Sequence, residues 1–229
     1  MIDHPVTDIF FDLDHTLWDF ERNSEVTYRN IFREAGLPVD VSRFLQVYIP
    51  LNLQLWKEYR EGRIQAEELR YRRLRIVFDR LDLRLDDRQI NQLAQAYIDQ
   101  LSLQTHLVPG AADILGYLSG KYRLHIITNG FGEVQYRKLR NSRIDSYFSE
   151  IVHSERAGVK KPDPRIFQLA TELAGVPASR SVMVGDSLEA DVLGARSAGL
   201  QTVHFHVHPE PADTAGPVIY GLEELKSLL

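Results

Sequence analysis

Residues 9–19 read IFFDLDHTLWD, an apolar run that stops at two aspartates separated by one leucine. A strand covered on both faces is continuously apolar, so Ile9, Phe10 and Phe11 predict the interior of a parallel sheet. Ligands in such sheets bind outside the carboxyl ends of the strands, and the run delivers Asp12 and Asp14 to that place. Alternation along an extended chain turns both side chains the same way, at a position that needs a cation or a proton to hold them together. A D-x-D pair is also an ordinary turn or helix cap, so the pair alone leaves both readings open.

The pattern recurs. LHIITNG at 124–130, SVMVGD at 181–186 and QTVHF at 201–205 are further apolar runs ending in polar or glycine-rich sequence. Helical spacing lies between them. Ala111, Ile114, Leu115 and Leu118 fall at i, i+3, i+4 and i+7, as do Ile166, Leu169, Ala170 and Leu173. Strands alternating with helices predict an α/β fold, a Rossmann-like parallel sheet core flanked by helices. Residues 20–103 break the rhythm with helical patterns only, among them Leu74, Val77, Phe78 and Leu81, until LVPGA at 107–111 ends the interruption. The expectation is a core of residues 1–17 and 104–229 with an inserted all-helical cap at 18–103.

Composition narrows the class. The 229 residues suffice for a core plus a smaller cap, and 44% hydrophobic with 26% charged residues is ordinary for a globular protein. The chain has no cysteine, which removes disulfides, thiolate metal sites and a cysteine nucleophile. A net charge of −5 argues against a general nucleic-acid binder, and no uncharged apolar stretch is long enough for a membrane helix. The N-terminus carries Asp3, Asp8, Asp12 and Asp14 in place of the basic-then-apolar order of a signal peptide, so a cytoplasmic protein is expected.

Each of three strands ends in groups suited to phosphate chemistry. After the second come Thr128, Asn129 and Gly130, a hydroxyl, an amide and a backbone that can approach a ligand closely. After the third come Gly185, Asp186 and Ser187, with Asp191 following at a helix start. In GVKKPDP, Pro162 biases Lys161 away from helix and presents it from a loop. Thr128 and Asn129 could equally cap a helix, and Lys160 with Lys161 could be a solvated pair.

DLDHT, TNG, the KP step and GDSLEAD, in that order from Asp12 to Asp191, resemble the four motifs of the haloacid dehalogenase superfamily of phosphohydrolases. The insertion resembles that superfamily's helical C1 cap. The resemblance implies Asp12 as a nucleophile forming an aspartyl-phosphate, and Asp14 as the acid that protonates the leaving alkoxide and then the base that activates water. It implies a Mg²⁺ ion held by the Asp12 carboxylate, the Asp14 main-chain carbonyl and Asp186, with Asp191 orienting the site. Thr128, with the backbone at Asn129 and Gly130, would bind phosphoryl oxygens, and Lys161 would set a positive charge between nucleophile and phosphate. The choice of Lys161 over Lys160 rests on the resemblance.

FFDLDHTLWDF, LWKEYREGRI, ITNGFGEVQ, ERAGVKKPDPRIF and MVGDSLEADVLGA together look closest to the house-cleaning pyrimidine 5′-nucleotidases. That resemblance implies a nucleoside monophosphate substrate, with phosphoglycolate, a sugar phosphate or a sugar-phosphate mutase reaction as alternatives. Because the core would touch only the phosphoryl group, selectivity would fall to the segment rich in aromatics (Trp18, Phe20, Tyr48, Trp56 and Tyr59). Trp56 is the candidate base contact. A dehalogenase of the same fold would not need Asp14 or Asp186. A phosphorylation-dependent receiver uses similar residues but places its aspartate later in a shorter chain.

Three further segments have bland readings. GFGEVQ at 130–135 departs from a dinucleotide fingerprint, because Gln135 stands at the third glycine. His204, His206 and His208 alternate at the spacing of a metal site, without an adjacent acid. The arginines of RYRRLR at 70–75 fit a solvated helix face. Oligomeric state leaves no signature.

Overall fold

The apolar run at the start becomes strand β1, Asp8–Phe11, with all four residues buried. The structure is a computed structural model that describes residues 2, 5–208 and 211–229. Asp3 and Pro209, which border two of the segments above, lie outside the described residues. The chain divides into two compact units, Met1–Phe20 with Thr105–Leu229, and Glu21–Gln104.

After β1, chain order gives α1 (Phe20–Glu34), α2 (Val41–Arg60), α3 (Ala66–Arg80), α4 (Asp87–Leu101) and α5 (Ala111–Ser119). Then follow β2 (Arg123–Thr128), α6 (Gly132–Asn141), β3 (Phe148–His153), α7 (Ser154–Ala157) and α8 (Pro164–Ala174). The chain closes with β4 (Ser181–Gly185), a π-helical turn Leu188–Leu193, α9 (Gly194–Ser197), β5 (Gln201–Phe205), β6 (Val218–Ile219) and α10 (Leu225–Leu228).

The first unit is built on a sheet of order β3-β2-β1-β4-β5-β6, parallel at every pairing. Central strands carry the continuous apolar runs, because helices cover both of their faces. Phe10, Ile127 and Met183 form one apolar cluster with Ile166, Phe167 and Ala170 of α8. The two edge strands escaped the sequence reading. Phe148–His153 is only partly buried and interrupts its apolar residues with Ser149 and Glu150, while β6 is two residues long. On α8 the buried face is Ile166, Phe167, Ala170, Thr171 and Ala174, and Leu173 is left exposed. The strand order reverses between β1 and β4, which opens a crevice at their carboxyl ends.

Trp18 and Phe20 belong to this unit: Trp18 is fully buried and bridges to Leu107. They are therefore not aromatics of the helical unit.

That second unit packs α2, α3 and α4 with the remainder of α1 around an aromatic core. The Tyr28 ring stacks on Tyr97 with centroids 4.5 Å apart and meets Phe44 at 4.7 Å and Tyr48 at 4.8 Å. Asp86 begins α4 with a reciprocal capping box, accepting from the Gln89 N–H while its own N–H donates to the Gln89 side chain. One expectation fails here. Arg73 is not on a solvated face but buried, its guanidinium 4.4 Å from the Tyr97 ring centroid. The reason is helical phase: Leu69, Arg73 and Val77 follow one another four apart along the buried side of α3. Arg72 and Arg75 do pair along the helix surface, with Glu68 and Asp79. No described helix is long and apolar enough to cross a membrane.

Candidate active site

The crevice at the ends of β1, β2 and β4 collects the residues singled out in the sequence. Asp12 leaves β1 still tied to the sheet, its N–H donating to the Val184 carbonyl at 2.9 Å. Its carboxylate is buried and accepts from Lys161 Nζ at 2.5 Å. The same ammonium donates to Asp191 Oδ1 at 2.6 Å and to the Ile127 carbonyl at 2.7 Å, so all three of its protons have acceptors. Lys161, not Lys160, is the residue delivered to the site. The two flanking carboxylates hold its pKa above the ordinary lysine value against the opposing effect of burial.

Asn129 is what fixes this lysine. Its Nδ2 donates to the Lys161 carbonyl at 3.0 Å and its Oδ1 accepts the Lys161 N–H at 2.8 Å. Both ends of the amide are therefore committed to the lysine loop, leaving its backbone, not its side chain, for a phosphoryl group. The Gly130 N–H donates to Thr128 Oγ1 at 3.1 Å.

Asp186 accepts from Thr16 Oγ1 at 2.9 Å and faces His208 Nε2 at 2.8 Å. Burial raises its pKa, but the bonds from His208 and Thr16 with the nearby histidine charges outweigh this and leave it below the usual value. Asp191 sits on the π-helical turn, a form that recurs at functional sites. Its Oδ1 is held by Lys161 and its Oδ2 by the Ser187 N–H at 3.0 Å. A Cβ at Gly185 would run into this carboxylate, so only glycine lets β4 pass it.

Asp12, Asp186 and Asp191 bring ligand oxygens within 4.8 Å of one another. Burial first, and then the neighbouring carboxylates, push the pKa of Asp12 well above and that of Asp191 above the usual range despite Lys161. The Lys161 ammonium bonds Asp12 and Asp191 but not Asp186, so the three buried carboxylates are short of positive charge, and all their donor atoms are hard oxygens. That set fits Mg²⁺.

Four contributors went unrecognised in the sequence. Thr16 and His208 steady Asp186, while Gln135 and Lys138 on α6 reach Asp14: Gln135 Nε2 lies 2.9 Å from Oδ2 and Lys138 Nζ 2.6 Å from Oδ1. The stretch GFGEVQ thus has a use other than the dinucleotide one rejected for it. Spacing alone offered a signal, since residues three apart share a helix face. The three histidines divide. His204 is buried, placing Nε2 3.1 Å from the Asp186 carbonyl and accepting the Asp213 N–H at Nδ1, whereas His206 packs edge-on against Tyr220. β5 ends at Phe205, so the alternation that would have aligned them stops there.

Trp56, in the other unit, lies half-buried on α2 with its ring edge-on to Tyr59 at 5.6 Å. Tyr48 and Tyr59 are buried in that unit's core.

Comparison with known proteins agrees with the fold. The solved structure of the hydrolase YfnB of Bacillus subtilis, bound to magnesium, superposes with a TM-score of 0.88 at 29% identity, covering 99% of each chain. The pyrimidine 5′-nucleotidase YjjG of Escherichia coli is 34% identical over 225 residues, 96% of this chain and 96% of its own. A glyceraldehyde 3-phosphate phosphatase of Pyrococcus abyssi is 37% identical over 201 residues, 86% of this chain and 80% of its own. The family model of haloacid dehalogenase-like hydrolases matches residues 9–199. The chain belongs to the haloacid dehalogenase-like hydrolases.

Proposed function

We propose that the chain hydrolyses phosphate monoesters through an aspartyl-phosphate on Asp12, and that its substrates are pyrimidine nucleoside monophosphates. The observation that carries the reaction is the buried Asp12 carboxylate held at the end of β1 by Lys161. An Asp12 oxygen attacks phosphorus while the bond from phosphorus to the ester oxygen breaks, and Asp14 gives its proton to the departing alkoxide. Water then attacks the aspartyl-phosphate, Asp14 takes its proton, and phosphate leaves with Asp12 restored. Lys161 steadies the nucleophile and, with the Thr128 hydroxyl, meets negative charge on the phosphoryl oxygens.

Asp12, Asp186 and the Asp14 main-chain carbonyl would hold Mg²⁺. Asp191, whose two oxygens are already engaged by Lys161 and Ser187, orients that set. When bound, the ion supplies positive charge that offsets repulsion between the carboxylate and the phosphate. Binding only the folded state, Mg²⁺ should raise the melting temperature of the wild type, by about 2.7 kcal/mol of stability at a hundredfold excess over its Kd. Asp186→Ala should remove that rise, and EDTA should abolish phosphate release. Full activity in EDTA would refute the metal assignment.

The nucleotide reading is supported by the near end-to-end match to YjjG, against 80% of the glyceraldehyde 3-phosphate phosphatase. A three-carbon sugar phosphate is the second reading, because that phosphatase is the more identical of the two over the part it shares.

A further inference from the structure

Asp14 is held at both carboxylate oxygens by one face of α6. Lys138 Nζ lies 2.6 Å from Oδ1, and Gln135 Nε2 lies 2.9 Å from Oδ2. Both partners are buried, Lys138 at 2% exposure and Gln135 at 1%, so neither is a casual surface contact. The Lys138 ammonium also lies 4.3 Å from the Trp18 ring centroid, with the Phe20 ring at 5.5 Å. Those aromatic faces attract the cation and confine it.

Gln135 reaches further. Its Nε2 also donates to Thr128 Oγ1 at 2.7 Å, and that oxygen already accepts the Gly130 N–H. With two donors on its lone pairs, the Thr128 hydroxyl is left to act outward as a donor, the polarity a phosphoryl oxygen requires. The amide pays for this at its other end, because Gln135 Oε1 is buried without a hydrogen-bond partner among the described residues. Turning the amide over would set its carbonyl oxygen against the Asp14 carboxylate, so the donor end faces Asp14. A Cβ at Gly130 would strike the Gln135 side chain, so the glycine clears room for it.

We infer that Gln135 and Lys138 are positioning residues that aim the Asp14 carboxylate at the ester oxygen and, through Gln135, set the Thr128 hydroxyl as a phosphoryl donor. The inference rests on the proposed role of Asp14 as acid and base. Its signature is dependence on the leaving group. An alkoxide needs a proton as it departs, whereas p-nitrophenolate leaves unaided. Because kcat/KM covers the steps up to transfer onto Asp12, misdirecting Asp14 must injure it unequally for the two substrates.

The test compares Lys138→Met and Gln135→Met with wild type and Asp14→Asn, measuring kcat/KM for dUMP and for p-nitrophenyl phosphate with Mg²⁺. For each methionine variant the loss on dUMP should exceed the loss on p-nitrophenyl phosphate by at least about tenfold, within the range of general acid assistance. Lys138→Arg should recover part of that difference. Equal losses on both substrates, with Asp14→Asn still showing the unequal pattern, would overturn the inference and leave the role of Asp14 standing. Equal losses in Asp14→Asn itself would overturn that role and the inference with it. If Lys138→Met does not fold, Gln135→Met decides by the same criterion, with melting curves as the check on folding.

Discussion

Asp12→Asn should fold normally and lose activity by on the order of 10⁴-fold or more, the scale seen when a covalent nucleophile is removed. The amide is nearly the size of the carboxylate and can still accept from Lys161 Nζ, which lies 2.5 Å from Oδ1 in the wild type. What it lacks is a basic oxygen able to attack phosphorus. Loss of one of three crowded carboxylates also relieves repulsion, since Asp186 and Asp191 both raise the Asp12 pKa. Its melting temperature without Mg²⁺ should therefore equal or exceed that of the wild type. Phosphate release at a wild-type rate by the folded variant would remove Asp12 from the reaction. A variant that failed to fold would instead assign Asp12 a structural role.

Lys161→Met should act on stability as well as on rate. The lysine is 2% exposed and its ammonium is the shared partner of Asp12 and Asp191. Removing one partner of a buried ionic cluster leaves uncompensated charge and costs about 3–5 kcal/mol. Methionine keeps most of the aliphatic stem, so lost charge dominates over lost packing. With the ammonium gone from beside Asp12 and Asp191, Mg²⁺ should stabilise this variant more than the wild type. The measurement is urea unfolding of both proteins with and without Mg²⁺. A variant as stable as wild type, with an unchanged response to Mg²⁺, would show that the carboxylates do not depend on the lysine.

The core was legible in the sequence wherever burial was two-sided. IFF, LHII and SVMV are mainly apolar because helices cover both sheet faces, and each run ends at the end of its strand or one residue before it. The edge strands obey a weaker rule. Phe148–His153 is only half-covered and so reads as mixed sequence. Motif order brought Asp12, Thr128, Lys161, Asp186 and Asp191 into view: Asp12 and Asp186 follow strands, Thr128 ends one, Lys161 precedes a proline, and Asp191 closes the GDSLEAD stretch. Gln135, Lys138 and Thr16 carry no such punctuation, and His208, though it precedes Pro209, belongs to none of the four motifs. Their contacts span 121, 124, 170 and 22 residues of chain, separations that only the folded sheet closes. Arg73 misled for a related reason: a charged side chain on an apolar stripe reads as solvated until the tyrosines around it are placed.

Substrate choice separates the proposed function from its rivals most sharply. A nucleobase offers a flat face to an aromatic ring, and such stacking is worth about 1–3 kcal/mol per base in single-stranded nucleic-acid complexes. Trp56 is the least buried of the five aromatics named in the sequence reading and is proposed as that ring. The decisive measurement is phosphate release by the wild type with Mg²⁺ from dUMP, dTMP, glyceraldehyde 3-phosphate, phosphoglycolate and a hexose phosphate. The account predicts kcat/KM for dUMP or dTMP at least about tenfold above each of the others, a gap of about 1.4 kcal/mol that Trp56→Ala narrows. A higher kcat/KM for glyceraldehyde 3-phosphate, phosphoglycolate or the hexose phosphate would contradict it.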